Sequence, residues 1–293
     1  MKLRKKDISK IGLVLAIISA LLYAFNVIIE KKYIESMSSE MILFLMYLGA
    51  GLGLFIIHSF TKNSKRINQS KITKKEVPKV VLIVVCELLA SFLIIEAVKV
   101  VNASLVSLLS IFEIIMTAIV AYLVFKEPIK NNELVSIMLM IIGCFILNFK
   151  SGSYSSISIS SLLVIGACLF WGIENNITAL ISSKEPAFFT GIKCFSVSIL
   201  YLIIVLLKGE FYLNYLELIV FGFFSYGLSI LSYALSTKYL GANKSTIIFS
   251  FSPVFGVILA ILIYKEEITM TFIISLIIMI CALICLAVES KKD

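Results

Sequence analysis

The sequence predicts an all-α polytopic membrane protein whose ten transmembrane helices form two inverted five-helix repeats. Three observations carry this. The 293-residue chain has a mean hydropathy of +1.06 with only 15% charged residues. Its charges collect at the ends of apolar runs of about 20 residues, the length a helix needs to cross about 30 Å of hydrocarbon. The stretch Lys99–Glu127, KVVNASLVSLLSIFEIIMTAIVAYLVFKE, returns at a constant offset of 139 residues as Lys238–Glu266, KYLGANKSTIIFSFSPVFGVILAILIYKE. Eight of the 29 positions are identical, among them Lys99/Lys238, Lys126/Lys265 and Glu127/Glu266. Apolar matches come easily to a 60% hydrophobic chain; charged matches in one register do not, so the chain is duplicated.

Taken in order, the first run, about 11–29, follows Lys2, Arg4, Lys5, Lys6 and Lys10 and begins like a secretory leader. It is long for one, and Glu30, Lys31 and Lys32 stand where small residues would mark a cleavage site, so it reads as an uncleaved first span. The second, 41–60, carries Gly49 and Gly53, a spacing that lets two helices approach closely. The third, 79–98, holds Glu87 and Ser91 on one face; the fourth, 104–125, holds Ser110, Glu113 and Thr117; the fifth, 133–149, is almost wholly apolar. The sixth, 159–181, opens the second half. There Ala167, Trp171, Glu174 and Thr178 match Ser19, Tyr23, Asn26 and Glu30 of the first span at an offset of 148. The fall from 148 to 139 requires about nine extra residues between the second and third spans, which the basic loop TKNSKRINQSKITKKEVPK supplies. The seventh, 187–207, the eighth, 216–237, with Tyr226, Ser229 and Tyr233, the ninth, 245–264, with Pro253, and the apolar tenth, 270–288, complete the set. The repeats divide into 1–150 and 151–293 and form one membrane domain.

An odd number of spans per repeat threads the second copy through the bilayer upside down. With the N-terminus inside, cytoplasmic segments collect nineteen Lys and Arg against six in the outer loops, leaving aside Lys193 within a span. The positive-inside rule therefore places both termini in the cytoplasm, in what is expected to be a bacterial plasma membrane. The net charge of +8 belongs to these topology determinants and to contact with anionic lipid headgroups, not to nucleic acid. The six cysteines, Cys86, Cys144, Cys168, Cys194, Cys281 and Cys285, all lie in apolar runs with no CxxC pair, and the sole histidine, His58, closes a span. They read as small packing residues, so neither a metal site nor a cofactor is expected. Opposed repeats are a transporter signature, because two halves can rock about a midplane site.

Several paired motifs carry a family resemblance: Tyr23-Ala24 and Trp171-Gly172 early in each half, Ser252-Pro253 in the second half, and Lys126-Glu127 and Lys265-Glu266. With ten spans in two repeats of five, the chain resembles the EamA-type drug/metabolite transporter superfamily over nearly its whole length. The resemblance implies a cavity enclosed by the first, third, fourth, sixth, eighth and ninth helices. It also implies a proline in both fourth-span positions. Here the second half has Pro253 and the first has Ile114 beside Glu113, so the first half is expected to lack the kink and to carry a charge instead.

The polar stripes fall on that same set of helices. Trp171, Glu174, Asn175 and Thr178 recur at helical spacing on one face of the sixth span. The binding candidates are Trp171, Glu174, Asn175, Glu113, Tyr23, Asn26, Tyr226 and Tyr233, with Pro253 as hinge. Carboxylates near a bilayer centre cost at least about 2.5–3.5 kcal/mol, so Glu87, Glu113 and Glu174 must pair, face a cavity or bind a proton, and all three are proton-coupling candidates. Lys193 is the basic residue within a span that could pair them. Acids beside Tyr and Trp faces suit an ammonium group and disfavour anions. The expected function is secondary transport by alternating access of a cationic or zwitterionic amine, such as an amino acid, a polyamine or a choline-like solute. The alternative is an intramembrane enzyme or receptor using the same acids, although no Walker A sequence and no catalytic Ser, Cys or His constellation is present. Expected partners are the solute, membrane lipid and protons; a homo-oligomer is compatible with the sequence.

Overall fold

A computed structural model describes residues 5–61, 72–126, 131–147, 159–181, 186–211, 214–240 and 242–289. Among these the regular structure is helical throughout. In order the helices are α1 (Lys5–Tyr33), α2 (Ser39–Thr61), α3 (Val77–Val100), α4 (Ala103–Leu109), α5 (Phe112–Phe125), α6 (Asn131–Leu147), α7 (Ile159–Ala179) and α8 (Pro186–Lys208). There follow α9 (Glu217–Gly222), a π-helical segment (Phe223–Leu228), α10 (Ser229–Leu240), α11 (Ala242–Phe249), α12 (Ser252–Tyr264) and α13 (Met270–Glu289). Seven described helical stretches are long and apolar enough to cross a membrane, and three shorter apolar helices, Leu134–Ile146, Ser252–Tyr264 and Met270–Cys285, accompany them.

The fourth predicted span is not one helix. It breaks at Ser110–Ile111 between α4 and α5, which corrects the expectation that a half without proline is unkinked. At the break Ser110 Oγ donates to Val106 O at 2.9 Å. Next to it Ile111 N, Glu113 N and Ile114 N bond three residues back rather than four. A hydroxyl competing for a ladder carbonyl, with a tightened turn, bends a helix as proline does. The ninth span breaks at the equivalent place, where Ser250 Oγ donates to Thr246 O at 2.7 Å and Pro253 opens α12 in its first turn. Proline tolerates that position because it removes no ladder donor there.

Both broken spans end alike. Lys126 (φ 57°) and Lys265 (φ 51°) follow α5 and α12 in the left-handed conformation, as the non-glycine residues with positive φ among those described. A side chain in that region costs roughly 1–2 kcal/mol, but it stops the helix and turns the chain. The duplicated lysines therefore share a backbone role. Glu266 accepts hydrogen bonds from Ala103 N (2.9 Å) and Ser104 N (3.0 Å), capping α4 from the other half. Its counterpart Glu127 and the side chain of Lys238 lie outside the described residues.

Helix pairing follows the duplication as well. Seven of the extensively packed pairs are α2 with α8, α3 with α7, α1 with α10, α6 with α13, α5 with α7, α4 with α12 and α1 with α12; α2 also packs on α9 and the π segment, more extensively than the counterpart pair α3 with α8. Replacing every span by its partner five further on turns α3–α7 into α1–α10 and α5–α7 into α1–α12. The other three pairs map onto themselves.

The α2 helix is the most enclosed, with Met41, Ile42, Leu43, Leu45, Met46 and Tyr47 wholly buried. Its approach to the eighth span is backbone to backbone. A methyl added at Gly49 would lie 1.8 Å from Ile219 O, and one at Gly222 would lie 2.0 Å from Met46 O. The glycine pair read from the sequence as a packing device has that role at Gly49, while Gly53 abuts the ring of Phe223. Gly49→Ala should therefore separate α2 from α9 and cost about 1–3 kcal/mol or more, as overpacking does. The expected outcome is a lowered unfolding temperature in detergent, against little change for Gly166→Ala, where an added methyl meets only Leu93 Cδ1, at 3.4 Å.

Candidate functional site

The acids named from the sequence meet near the centre of the bundle, and they meet in two different environments. Glu87 on α3 and Glu174 on α7 are buried, at 3% and 5% exposure, and share one cation. Lys193 of α8 places its ammonium 3.1 Å from Glu87 Oε2 and 2.8 Å from Glu174 Oε1. Tyr47 of α2 also donates its hydroxyl to Glu87 Oε1. This leaves two carboxylates against one ammonium, and Glu174 Oε2 has no partner among the described residues. Lys193 is the partner the sequence offered as the basic residue within a span; Tyr47 is the residue that sequence reasoning left out, since a tyrosine in an apolar span gives no signal.

Glu113, at the start of α5, is half-buried and pairs with no cation among the described residues. Asn175 of α7 donates to Glu113 Oε1 at 2.9 Å and lies near Thr117 Oγ1 at 3.3 Å. Asn176 completes the seam between α5 and α7, donating to Thr117 O (2.9 Å) and to Gly172 O (2.8 Å). The close approach is possible because Gly172 presents no side chain to the backbone of Met116 and Thr117.

Between these acids lies a run of aromatic rings. Tyr23 of α1 meets Tyr226 of the π segment edge to face at 6.1 Å and Phe249 of α11 at 5.2 Å. Phe249 in turn contacts Tyr233 at 5.0 Å, and Tyr226 stacks on Tyr47 at 4.7 Å. Tyr23 stands within electrostatic reach of Glu113, Glu87, Glu174 and Glu30 together. Tyr233 O–H and Thr246 Oγ1 bond at 2.8 Å. Trp171 takes a different place: it is 8% exposed, packed in the apolar core with Phe112, Ile115 and Cys168. Its indole N–H and the amide of Asn26 have no partner among the described residues.

The two ends of the bundle differ. At the end carrying Tyr33, bonds cross between the halves: Tyr33 O–H to Glu217 (3.1 Å), Lys208 to Glu40 (2.6 Å) and Tyr264 O–H to Ile28 O (2.5 Å). The Glu266 cap on α4 adds to them. Ser39 and Lys99 meet on Glu96, each at 2.6 Å. On the other side of the aromatic run, Asn175 and Thr246 are exposed and Glu113, Thr117 and Tyr233 half-buried. The arrangement is a polar site with aromatic walls, open away from the Tyr33 end and strongly acidic, with one lysine among four carboxylates.

A family model described as the EamA-like transporter family matches residues 10–149 and again 158–288. A protein named "Uncharacterized transporter" from Methanothermobacter thermautotrophicus is 24% identical over 274 residues, covering 87% of this chain and 80% of that one. Another of the same name from Clostridium kluyveri is 24% identical over 299 residues, covering 97% and 95%. One solved crystal structure superposes with a TM-score of 0.68 over 98% of each chain at 11% identity, a likeness of fold alone.

The buried triad yields a stability prediction. Lys193→Met leaves two buried carboxylates with no cation and should cost about 3–5 kcal/mol. Adding Glu87→Gln and Glu174→Gln to that variant removes the stranded charge, so most of the loss should return. Thermal unfolding of the purified variants measures both, and equal loss in the single and triple variants would contradict the pairing argument.

Proposed function

The chain belongs to the EamA-like transporter family, an integral membrane protein, and from that premise we propose that it moves a cationic or zwitterionic amine by alternating access as a secondary transporter. In this reading the seven long apolar stretches and the three shorter helices make ten spans in two inverted repeats. The self-consistent exchange of helix pairs and the matched left-handed lysines support it. The charge asymmetry of the loops supports cytoplasmic termini in a plasma membrane.

The observation that carries the substrate class is that Glu87 and Glu174 share the one ammonium of Lys193 while Glu113 is held by Asn175. Ionised, such a site repels anions and leaves negative charge for a solute to neutralise. Glu113 is the acid best placed for an ammonium group, since no lysine pairs with it and Asn175 holds one oxygen. Tyr23, Phe249 and Tyr233 offer the ring faces, and a cation on a desolvated aromatic face gains about 2 kcal/mol. Of the acids proposed for proton coupling, Glu87 and Glu174 are engaged by Lys193, which leaves Glu113 as the member free to exchange with solvent. Opening alternates between the exposed Asn175 side and the Tyr33 end, where the cross-half bonds would have to part.

Uptake of labelled solutes into proteoliposomes, over a panel of amino acids, polyamines, choline and organic anions, tests this reading. Amines should be carried and organic anions refused. For the best amine, Glu113→Gln and Tyr23→Leu should each weaken binding about thirtyfold, the equivalent of ~2 kcal/mol. Carriage of anions alone, or wild-type behaviour of both variants, would overturn the proposal.

A further inference from the structure

One of the four acids near Tyr23 has no assigned role so far. Glu30, near the end of α1, has 0% exposure. The Tyr226 hydroxyl donates to its Oε1 at 3.1 Å, and its Oε2 has no partner among the described residues. One turn earlier on the same face, Asn26 is 5% exposed with both amide atoms unpartnered, and Ser225 Oγ, beside Tyr226, is unpartnered as well. The nearby cations are committed elsewhere. Lys31 points its ammonium at Val98 O (3.0 Å) and Val101 O (3.5 Å), while Lys32 lies over the rings of Tyr33 and Phe221.

The other groups that face Glu30 are neutral or negative. From the eighth span there is Tyr226; from α8, Tyr201, within electrostatic reach; from α1 itself, Tyr23. Glu87 of α3 lies beyond Tyr226. Tyr264 of α12 is taken by Ile28 O, and Tyr33 by Glu217. A fully buried carboxylate with a single donor and no cation would carry the full desolvation penalty of a charge in a low-dielectric interior. The charge has to be cancelled, and a proton is the ligand that needs no coordination shell.

The placement of the donor points to a built site. Tyr226 lies in the one π-helical segment among the described residues, Phe223–Leu228. A π turn inserts an extra residue into a helix and re-aims the side chains around it, and such turns are frequent at functional sites. Here it sets Tyr226 between Glu30 on one side and the rings of Tyr23 and Tyr47 on the other.

We infer that Glu30 is an exchangeable proton site: a carboxylate oxygen takes a proton from the aqueous phase, forming an O–H bond, and returns it to water by the reverse step. The inference rests on the alternating-access reading, because water reaches a site beneath the Tyr33 end only in a conformation that opens it. Tyr226 then ties the protonation state of Glu30 to the aromatic wall of the solute site. It deepens the proposed coupling by adding to Glu113 an acid outside the set of coupling candidates that the sequence singled out.

Infrared difference spectra of the full-length protein in lipid, recorded between neutral and alkaline pH with no solute present, test it. Wild type should show a protonated-carboxyl C=O band at neutral pH that disappears on alkalinisation. Glu30→Gln should lack that band, and Glu113→Gln should retain it. Tyr226→Phe, which keeps the carboxyl and removes its hydrogen-bond donor, should move the band to higher frequency, giving a second readout should Glu30→Gln fail to fold. A wild-type spectrum without the band, a band that does not respond to pH, or the same band in Glu30→Gln would overturn the inference. The readout involves no substrate, so failure of amine uptake with the band intact would overturn the transport reading alone.

Discussion

The ammonium of Lys193 is the interaction on which the centre of this molecule depends. It draws α3, α7 and α8 to one point by donating to two buried carboxylates. Burying an ion pair seldom adds much net stability, because desolvation takes back what attraction supplies, but leaving either member alone is costly. The triad is therefore better understood as a constraint on arrangement. With two carboxylates held against one ammonium the triad keeps a surplus acid of its own, while Glu113 and Glu30 stand apart from Lys193.

The duplicated halves keep the same backbone devices while differing in chemistry. The fourth and ninth spans begin at Ala103 and Ala242, break near their middles, and end at Phe125 and Tyr264 before a left-handed lysine. Within that shared frame the first half places Glu113 where the second has Ser252, and Ile114 where the second has Pro253. The break forms in both halves with a proline only in the second, so proline is dispensable for it and Glu113 can occupy the turn beside it. The break in the first half lies among the buried residues Leu109, Ile111 and Phe112, and backbone buried in protein is tolerated within a membrane.

The polar groups are also sorted along the bundle. Bonds between halves gather at the Tyr33 end, and exposed site residues gather on the opposite side of the aromatic run. Hydrogen bonds and ion pairs at a partly wet rim are each worth only about 1 kcal/mol or less. Such bonds can be exchanged for bonds to solvent at small cost, which an apolar seal cannot.

The sequence by itself determined the helical class, the duplication, the places of the apolar runs and the face on which each polar stripe lies. These follow from local periodicity, from charges at span ends and from self-similarity, all of which a linear chain displays. It identified Glu113, Glu87 and Glu174 as acids that must be cancelled or used. Only the tertiary structure decided between those fates, because whether a carboxylate meets Lys193 or Asn175 depends on which helix packs beside it. The same is true of Glu30, which reads as a boundary charge next to Lys31 and Lys32 but lies buried under Tyr226, and of Trp171, which shares a stripe with Glu174 yet packs into the core. The break at Ser110 and the π turn at Tyr226 escape a pattern of regular period, since each is a local departure from the ladder that a hydroxyl or a neighbouring helix imposes.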